Sequence, residues 1–167
     1  MRTSTIIRFG VFIFCACMAM AKPALGYDAG EVTNGGSISG TIQFAGDPPA
    51  PKLIEATKDK KVCGKTQKFD ESLVVSAEKG IKNAVISIVK IETGKGFDKA
   101  SPLDQNECVY TPHIVLTPAG QKLEILNNDG ILHNIHTYSE ANPAFNQAQP
   151  KFKKKLKKKF DTAEYIK

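Results

Sequence analysis

Apolar and polar residues alternate with a period of two along several short stretches of the chain, which is the pattern of half-buried β-strands. Residues 37–44 alternate most regularly, and residues 81–91 are rich in the β-branched side chains that favour strands. Residues 109–116 and 121–126 flank a turn-like Thr-Pro-Ala-Gly sequence, and residues 131–138 follow a second bend in extended form. Short strands at this spacing predict an all-β domain, either a sandwich or a barrel.

Two other stretches are less regular. Residues 52–61 carry the weak pattern of a short helix. In residues 151–160, Phe152, Leu156 and Phe160 recur every four residues, so they would line one face of a helix or one face of a strand. We interpret this stretch as a solvated strand whose lysines discourage pairing with other sheets, with docking to an acidic partner or to anionic lipid as the alternative.

The first 26 residues have the features of an export signal. Arg2 and Arg8 precede an apolar run, residues 9–21, that is too short to span a bilayer, and small residues lead to Gly26. We therefore predict a signal peptide over residues 1–26, with a retained N-terminal anchor as the alternative. The mature protein would be periplasmic or secreted, and no later stretch is long and apolar enough to be a transmembrane segment.

Cleavage after residue 26 leaves 141 residues, a common size for one domain. We expect residues 27–35 to form a flexible N-terminal segment and residues 36–167 to form the domain. Cys63 and Cys108 are the cysteines that remain, and in an oxidising compartment such a pair predicts a disulfide bond. A pair of soft metal ligands is the alternative, disfavoured because neither cysteine has a Cys-x-x-Cys or Cys-x-x-His spacing.

The positive charge of the chain is concentrated near its C-terminal end. The formal net charge of +6 falls to +3 when Arg2, Arg8 and Lys22 leave with the signal. Seven lysines lie within residues 151–159, so the rest of the mature chain carries −4. This distribution argues against a nucleic-acid-binding protein and leaves one basic segment as a candidate docking surface for an acidic partner. The segment contains Lys151, Lys153, Lys154, Lys155, Lys157, Lys158 and Lys159.

The candidate chemistry lies around the histidines, all three of which fall between residues 113 and 136. Imidazole is the commonest metal ligand at neutral pH, and the turn-rich sequence 127–130 would present His133 from the end of a strand. His136 is three residues further along, so in an extended segment it would face the other way. This spacing favours one metal ligand rather than a pair, and the alternative is that both histidines are ordinary loop residues.

No sequence pattern indicates an enzyme. A Gly-x-Ser-x-Gly elbow, which would present an activated serine, does not occur in the sequence, and no glycine-rich phosphate loop precedes a helix pattern. We therefore predict a binding or carrier protein rather than a catalyst.

The sequences of residues 108–114 and 121–136 resemble periplasmic cupredoxin-like, or plastocyanin-like, proteins, some of which are called methylamine utilization proteins. The resemblance covers residues 36–167 and is specific from Cys108 onward. It implies a Greek-key β-sandwich that holds one type 1 copper ion.

The resemblance also implies a ligand set. His133 would be the first copper ligand, Asn134 would tie the ligand loops together by hydrogen bonds, and His136 is the weaker alternative ligand. The family takes its cysteine, second histidine and methionine from one C-terminal loop, and no such residue lies between Asp161 and Lys167. We therefore expect a C-terminally truncated domain that lacks its final ligand loop and strand and does not bind copper as written.

Two functions follow from these expectations. The first is a periplasmic type 1 copper-binding protein that transfers electrons in its full-length form and docks an acidic redox protein through residues 151–159. The alternative is a non-redox β-sandwich module of the cell envelope that binds a carbohydrate or a protein. The sequence alone does not predict an oligomeric state.

Overall fold

Strands account for almost all of the regular secondary structure in residues 27–89 and 91–167, the part of the chain that the computed structural model describes. The predicted all-β class is confirmed, because these residues form ten strands and one helix of four residues. The predicted signal peptide, residues 1–26, lies outside the described residues. Within the described ranges, no helix has the length and apolar character needed to cross a membrane.

The elements follow one another along the chain with short connections in the C-terminal half and longer ones in the N-terminal half. They are β1 (Asp28–Gly30), β2 (Leu53–Ile54), α1 (Lys60–Cys63), β3 (Lys68–Phe69), β4 (Thr93–Lys95), β5 (Leu103–Asn106), β6 (Val109–Thr111), β7 (Lys122–Asn127), β8 (His133–His136), β9 (Asn146–Gln149) and β10 (Lys155–Lys159).

The largest sheet has four strands in the order β10-β7-β5-β6. β7 lies inside it, antiparallel to β10 and parallel to β5, and β6 pairs antiparallel with β5. Along β7, the buried side chains of Leu123, Ile125 and Asn127 alternate with less buried neighbours. This period-two burial confirms the strand predicted over residues 121–126.

A two-stranded antiparallel sheet of β8 and β9 packs onto the four-stranded sheet. Ile135 of β8 joins four residues of β7, β10 and the segment after β10 in the buried apolar core, which are Leu123, Ile125, Leu156 and Phe160. Burying each of these large side chains contributes about 1.5–3 kcal/mol. The apolar core of the described residues therefore lies in the C-terminal part of the chain.

A buried polar network crosses between the two layers. Gln105, Asn127 and Gln149 are 3%, 0% and 0% exposed. The Gln105 side-chain amide donates to Gln149 Oε1 at 2.8 Å, and the Asn127 side-chain amide donates to the Gln149 carbonyl at 3.0 Å. The Gln149 amide donates in turn to two backbone carbonyls. Because an unpaired buried polar group costs about 1–3 kcal/mol, this network fixes how β5, β7 and β9 align.

The predicted disulfide bond is confirmed. It joins Cys63, the last residue of α1, to Cys108, in the turn between β5 and β6, over a sequence separation of 45 residues. The chain-entropy model gives a closed loop of this length about 4 kcal/mol of stabilisation. The bond ties the N-terminal half of the chain to the four-stranded sheet.

Two of the predicted strands are wrong. Residues 37–44 make one isolated bridge, from Gln43 to Gly80, and residues 81–89 form no strand beyond a bridge at Ile81. The alternation predicts which side chains share a face, but a strand also needs a neighbour to accept its hydrogen bonds. No neighbouring strand lies along either stretch in the described chain, and their apolar side chains stay exposed.

Three other predictions differ from the structure. The helix predicted over residues 52–61 is wrong, because β2 pairs with β3 there and α1 begins at Lys60. The strand predicted over residues 109–116 ends at Thr111, and the next residue, Pro112, has no N–H to donate to a ladder. β1 forms within the segment expected to be flexible, where it pairs with β4.

Candidate metal centre around His133

The bend between β7 and β8 positions the candidate metal ligand. Asn127, the last residue of β7, accepts a hydrogen bond from the Asp129 N–H at 3.2 Å and donates from its side-chain amide to the Ile131 carbonyl at 2.8 Å. Gly130 has a φ of +70°, a left-handed conformation that glycine adopts at little cost. The bend therefore brings Asp129 back beside His133, which begins β8.

His133 and Asp129 form a partly buried pair. His133 Nε2 lies 2.6 Å from Asp129 Oδ2, and their side chains are 16% and 3% exposed. The same carboxylate oxygen accepts a hydrogen bond from the Cys108 N–H at 2.8 Å. Asp129 thus connects the histidine to the turn that carries the disulfide bond.

The disulfide bond lies next to this pair. One donor atom each of Cys108, Asp129 and His133 falls within 4.8 Å of the other two. The thiolate, and not the disulfide, is the form of cysteine that binds metal ions. In the oxidised protein the cluster therefore offers one imidazole and one carboxylate.

The structure does not bring the other two histidines to this site. His136 lies on the opposite face of β8, where its ring packs against Tyr138 with the ring centroids 4.3 Å apart. His113 Nδ1 lies 3.0 Å from a carboxylate oxygen of Glu71. Asn134 lies on the same face of β8 as His136.

Asn134 makes two hydrogen bonds that link β8 to other strands. Its side-chain amide donates to Asn146 Oδ1 on β9 at 2.5 Å, and its carbonyl accepts a hydrogen bond from the Tyr110 hydroxyl on β6 at 3.0 Å. These bonds join β8 to β9 in its own sheet and to β6 in the four-stranded sheet. They hold the strand that carries His133 without touching the histidine itself.

The lysine-rich segment forms the edge strand β10, as the solvated-strand interpretation expects. Lys155 and Lys157 contact the Glu124 carboxylate at 2.9 and 3.4 Å, and the hydrogen bond from Lys155 holds the pKa of Glu124 below its usual value. Lys159 contacts Asp161 at 2.7 Å, and Lys158 lies over the ring of Phe145. Three of the seven lysines of this segment therefore contact two carboxylates of the chain.

A second polar cluster lies where the chain leaves β8. The Glu164 carboxylate accepts hydrogen bonds from the Ser139 hydroxyl, from the Asn142 side chain and from the N–H groups of residues 140–142. These bonds, led by that from Ser139, lower the pKa of Glu164 to about 2. One carboxylate therefore fastens the segment after β10 onto the loop between β8 and β9.

An open cleft of about 450 Å³ adjoins this cluster. Tyr138 and Tyr165 line it and are 66% and 84% exposed. Glu140, Glu164 and Lys167 supply its polar groups. The Lys167 carbonyl also accepts a hydrogen bond from the Tyr138 N–H at 2.8 Å, so the two ends of the cleft are joined.

Asp129 is the site residue that the sequence analysis missed. Its signal is present, because an Asn-Asp-Gly bend places a carboxylate four residues before His133. At that spacing the two side chains meet only if the bend folds back on itself, and the buried Asn127 side chain makes it do so. The sequence alone predicts that the bend presents His133, and not that the bend supplies a residue of the site.

The described residues do not complete a type 1 copper site. Such a site takes two histidines, a cysteine thiolate and a weak axial methionine. His133 is suitably placed, but Cys63 and Cys108 are joined in a disulfide, and the three methionines lie outside the described residues. Comparison with protein-family models, with curated proteins and with solved structures gives no significant match to this chain. The cupredoxin resemblance therefore stays a prediction.

Proposed function

We propose that the protein is a periplasmic copper-binding protein of the cupredoxin type, with a Greek-key β-sandwich and a role in electron transfer. The observation that carries the proposal is the mostly buried His133 side chain, with one ring nitrogen against the Asp129 carboxylate. A metal-binding histidine almost always makes such a contact through the nitrogen that does not bind the metal, because the contact fixes the ring and raises its basicity. Nδ1 is then the nitrogen left for a copper ion.

Other features support the compartment and the fold that we propose. The disulfide bond suits an oxidising compartment such as the periplasm. Two packed β layers around one core suit a sandwich. The electron-transfer role itself comes from the sequence resemblance, and an acidic redox partner would dock on Lys151, Lys153 and Lys154, which precede the internally paired lysines of β10.

A type 1 site also needs a thiolate, a second histidine and a methionine, and the described residues do not bring these ligands together around His133. Copper, when bound, would supply one-electron redox chemistry. The part played by this chain is to orient the His133 imidazole through Asp129 and to shield one side of it from water. We assign no further role in electron transfer to the residues of this chain.

Copper titration of the protein in its full-length form tests the proposal. We expect an intense visible thiolate-to-Cu(II) absorption band, lost in His133→Gln and kept in His136→Gln, the matched control on the same strand. Residues 27–167 alone should give no such band, because their two cysteines are joined in a disulfide bond. Absence of the band from the full-length protein, or a band that survives His133→Gln, would count against the proposal.

A second candidate function is carbohydrate binding in the cell envelope, and the cleft between Tyr138 and Tyr165 favours it. Two exposed aromatic rings beside carboxylate and ammonium groups can stack on a sugar and hydrogen-bond its hydroxyls. Calorimetric titration with cell-wall oligosaccharides should then show binding that Tyr165→Ala abolishes. Phe152→Ala, which removes an exposed aromatic ring outside the cleft, should leave it unchanged. Equal effects of the two substitutions would exclude this cleft as the binding site.

A further inference from the structure

We propose that reduction of the Cys63–Cys108 disulfide bond creates a Zn²⁺ site from the two thiolates, Asp129 and His133. The proposal shares His133 with the copper site but not its ligand set, so either can fail alone. Its donors lie within the described chain, and they form the cluster in which the disulfide, the carboxylate and the imidazole already meet.

The donor atoms have the types and the proximity that zinc requires. Zn²⁺ takes four ligands in a tetrahedron, from thiolate, imidazole and carboxylate groups. Donor atoms of Cys108, Asp129 and His133 already lie within 4.8 Å of one another, and the Cys63 sulfur is bonded to that of Cys108. The Cα atoms of the two cysteines are 5.2 Å apart. Two thiolates on one Zn²⁺ ion need their sulfurs ~3.8 Å apart, from tetrahedral angles at ~2.3 Å, which side-chain rotation from these Cα positions can provide.

The carboxylate and the imidazole are held in place independently of the disulfide. Asp129 is 3% exposed at its side chain, and its Oδ2 atom accepts a hydrogen bond from the Cys108 N–H. The ion would take the place of the 2.6 Å contact between this oxygen and His133 Nε2. The buried Asn127 side chain holds the bend that carries Asp129. Breaking the S–S bond therefore leaves two ordered donors facing the freed Cys108 sulfur. Such preorganisation lowers the entropic cost of binding an ion.

The disulfide is open to a reductant on the side of Cys63. An open cleft of about 350 Å³ is lined by Cys63 together with residues of β2 and of the turn after α1. The Lys68 ammonium group donates a hydrogen bond to the Cys63 carbonyl, which places a positive charge beside this cysteine.

The redox step is a two-electron exchange with a dithiol. The dithiol gives two electrons and two protons to the S–S bond, which becomes the thiols of Cys63 and Cys108, and the dithiol closes to its own disulfide. Zn²⁺ then binds as both thiols release their protons to solvent. The two thiolates balance the charge of the ion, and the carboxylate leaves the site with a net charge of −1. In the oxidised protein two donors remain, so the redox state of the bond would decide whether the ion is held.

Metal titration of the full chain in the two redox states tests the proposal. Co²⁺ serves as the spectroscopic probe and Zn²⁺ as its competitor, and a trialkylphosphine serves as the reductant, because a dithiol would itself bind zinc. The phosphine becomes its oxide, with the oxygen taken from water. We expect the reduced protein to bind one Co²⁺ with tetrahedral d–d bands and thiolate-to-metal absorption, which one equivalent of Zn²⁺ removes. The oxidised protein should show neither band.

Variants separate a built site from binding by two thiols in an unfolded chain. Asp129→Asn and His133→Gln should each weaken binding to the reduced protein by tenfold or more. His113→Gln, which removes a histidine outside the cluster, should not weaken it. Circular dichroism of the reduced protein with and without Zn²⁺ reports whether the fold persists. Absence of Co²⁺ binding after reduction, or equal affinities in all three variants and the parent, would overturn the proposal.

Discussion

Two apolar stretches with similar sequence patterns take opposite structures in this protein. In β7, Leu123 and Ile125 are 7% and 1% exposed. In residues 81–89, Ile86 and Val89 are 71% and 98% exposed, although β-branched residues are more frequent there than in β7. The two stretches differ in the strands that lie beside them. β7 has β5 on one edge, β10 on the other and the β8–β9 sheet against its buried face, whereas residues 81–89 have a single bridge at Ile81.

A sequence that favours a strand therefore does not by itself bury its apolar side chains. Burial requires a second surface, and a strand requires a neighbouring backbone. The second surface and the neighbouring backbone both come from parts of the chain that are distant in sequence. The predictions below test whether the contrast between β7 and residues 81–89 holds in solution, beginning with the largest expected effect.

Truncation of a core side chain should separate the two stretches most clearly. We expect Ile125→Ala to lower the free energy of unfolding by about 2–5 kcal/mol, because it removes buried methyl groups and leaves a cavity. Ile86→Ala, the matched substitution in the exposed stretch, should change it by no more than about 0.5 kcal/mol. Urea unfolding followed by circular dichroism measures both. A cost for Ile86→Ala as large as that for Ile125→Ala would mean that residues 81–89 are buried in solution.

The buried polar network gives the second test, because residues 81–89 have no counterpart of it among the described contacts. Gln149→Leu keeps the approximate volume of the side chain but leaves the partner groups of Gln149 unpaired. We expect a loss of about 1–3 kcal/mol in the free energy of unfolding. Gln121→Leu, at an exposed position before β7, serves as the control and should be close to neutral. If the two substitutions had equal effects, the network would not fix the packing of the layers.

The segment after β10 shows a third situation, in which order comes from side chains without a strand ladder. The pKa of Glu164 is lowered to about 2 from 4.5, so its hydrogen bonds stabilise the fold above about pH 4.5. This contribution should be lost as the pH falls through the window from about 4.5 to about 2. The protection factors for amide hydrogen exchange in the loop between β8 and β9, which are corrected for the pH dependence of intrinsic exchange, should fall as the pH is lowered across that window.

Two variants control the pH experiment. Glu164→Gln should remove the pH dependence of the protection factors in that loop, because the glutamine side chain does not titrate. Glu140→Gln, in the same loop, should leave it unchanged. A pH dependence that survives Glu164→Gln would assign the effect to other carboxyl groups.

The all-β class and the strand at β7 could be predicted because their apolar patterns are local signals in the sequence. The disulfide bond could be predicted because two cysteines remain after the signal peptide, so a single pairing is possible. For residues 151–160 the sequence favours the strand seen as β10 only weakly, since a spacing of four residues fits both a helix and a strand. The polar network was not predicted, because Gln105 and Gln149 look like surface residues until two layers close over them. Asp129 was missed for a similar reason, since its role depends on the shape of a bend.

The disulfide bond has a consequence for proteolysis. It closes a loop from Cys63 to Cys108, and the exposed residues 81–89 lie inside that loop. Exposed stretches without ladder hydrogen bonds are preferred sites of cleavage. A protease that cuts there would open the loop without releasing either part of the chain. The nicked protein should migrate as one species on a denaturing gel run without reductant and as two fragments after reduction, so gel analysis with reductant alone would mistake a held-together molecule for a degraded one.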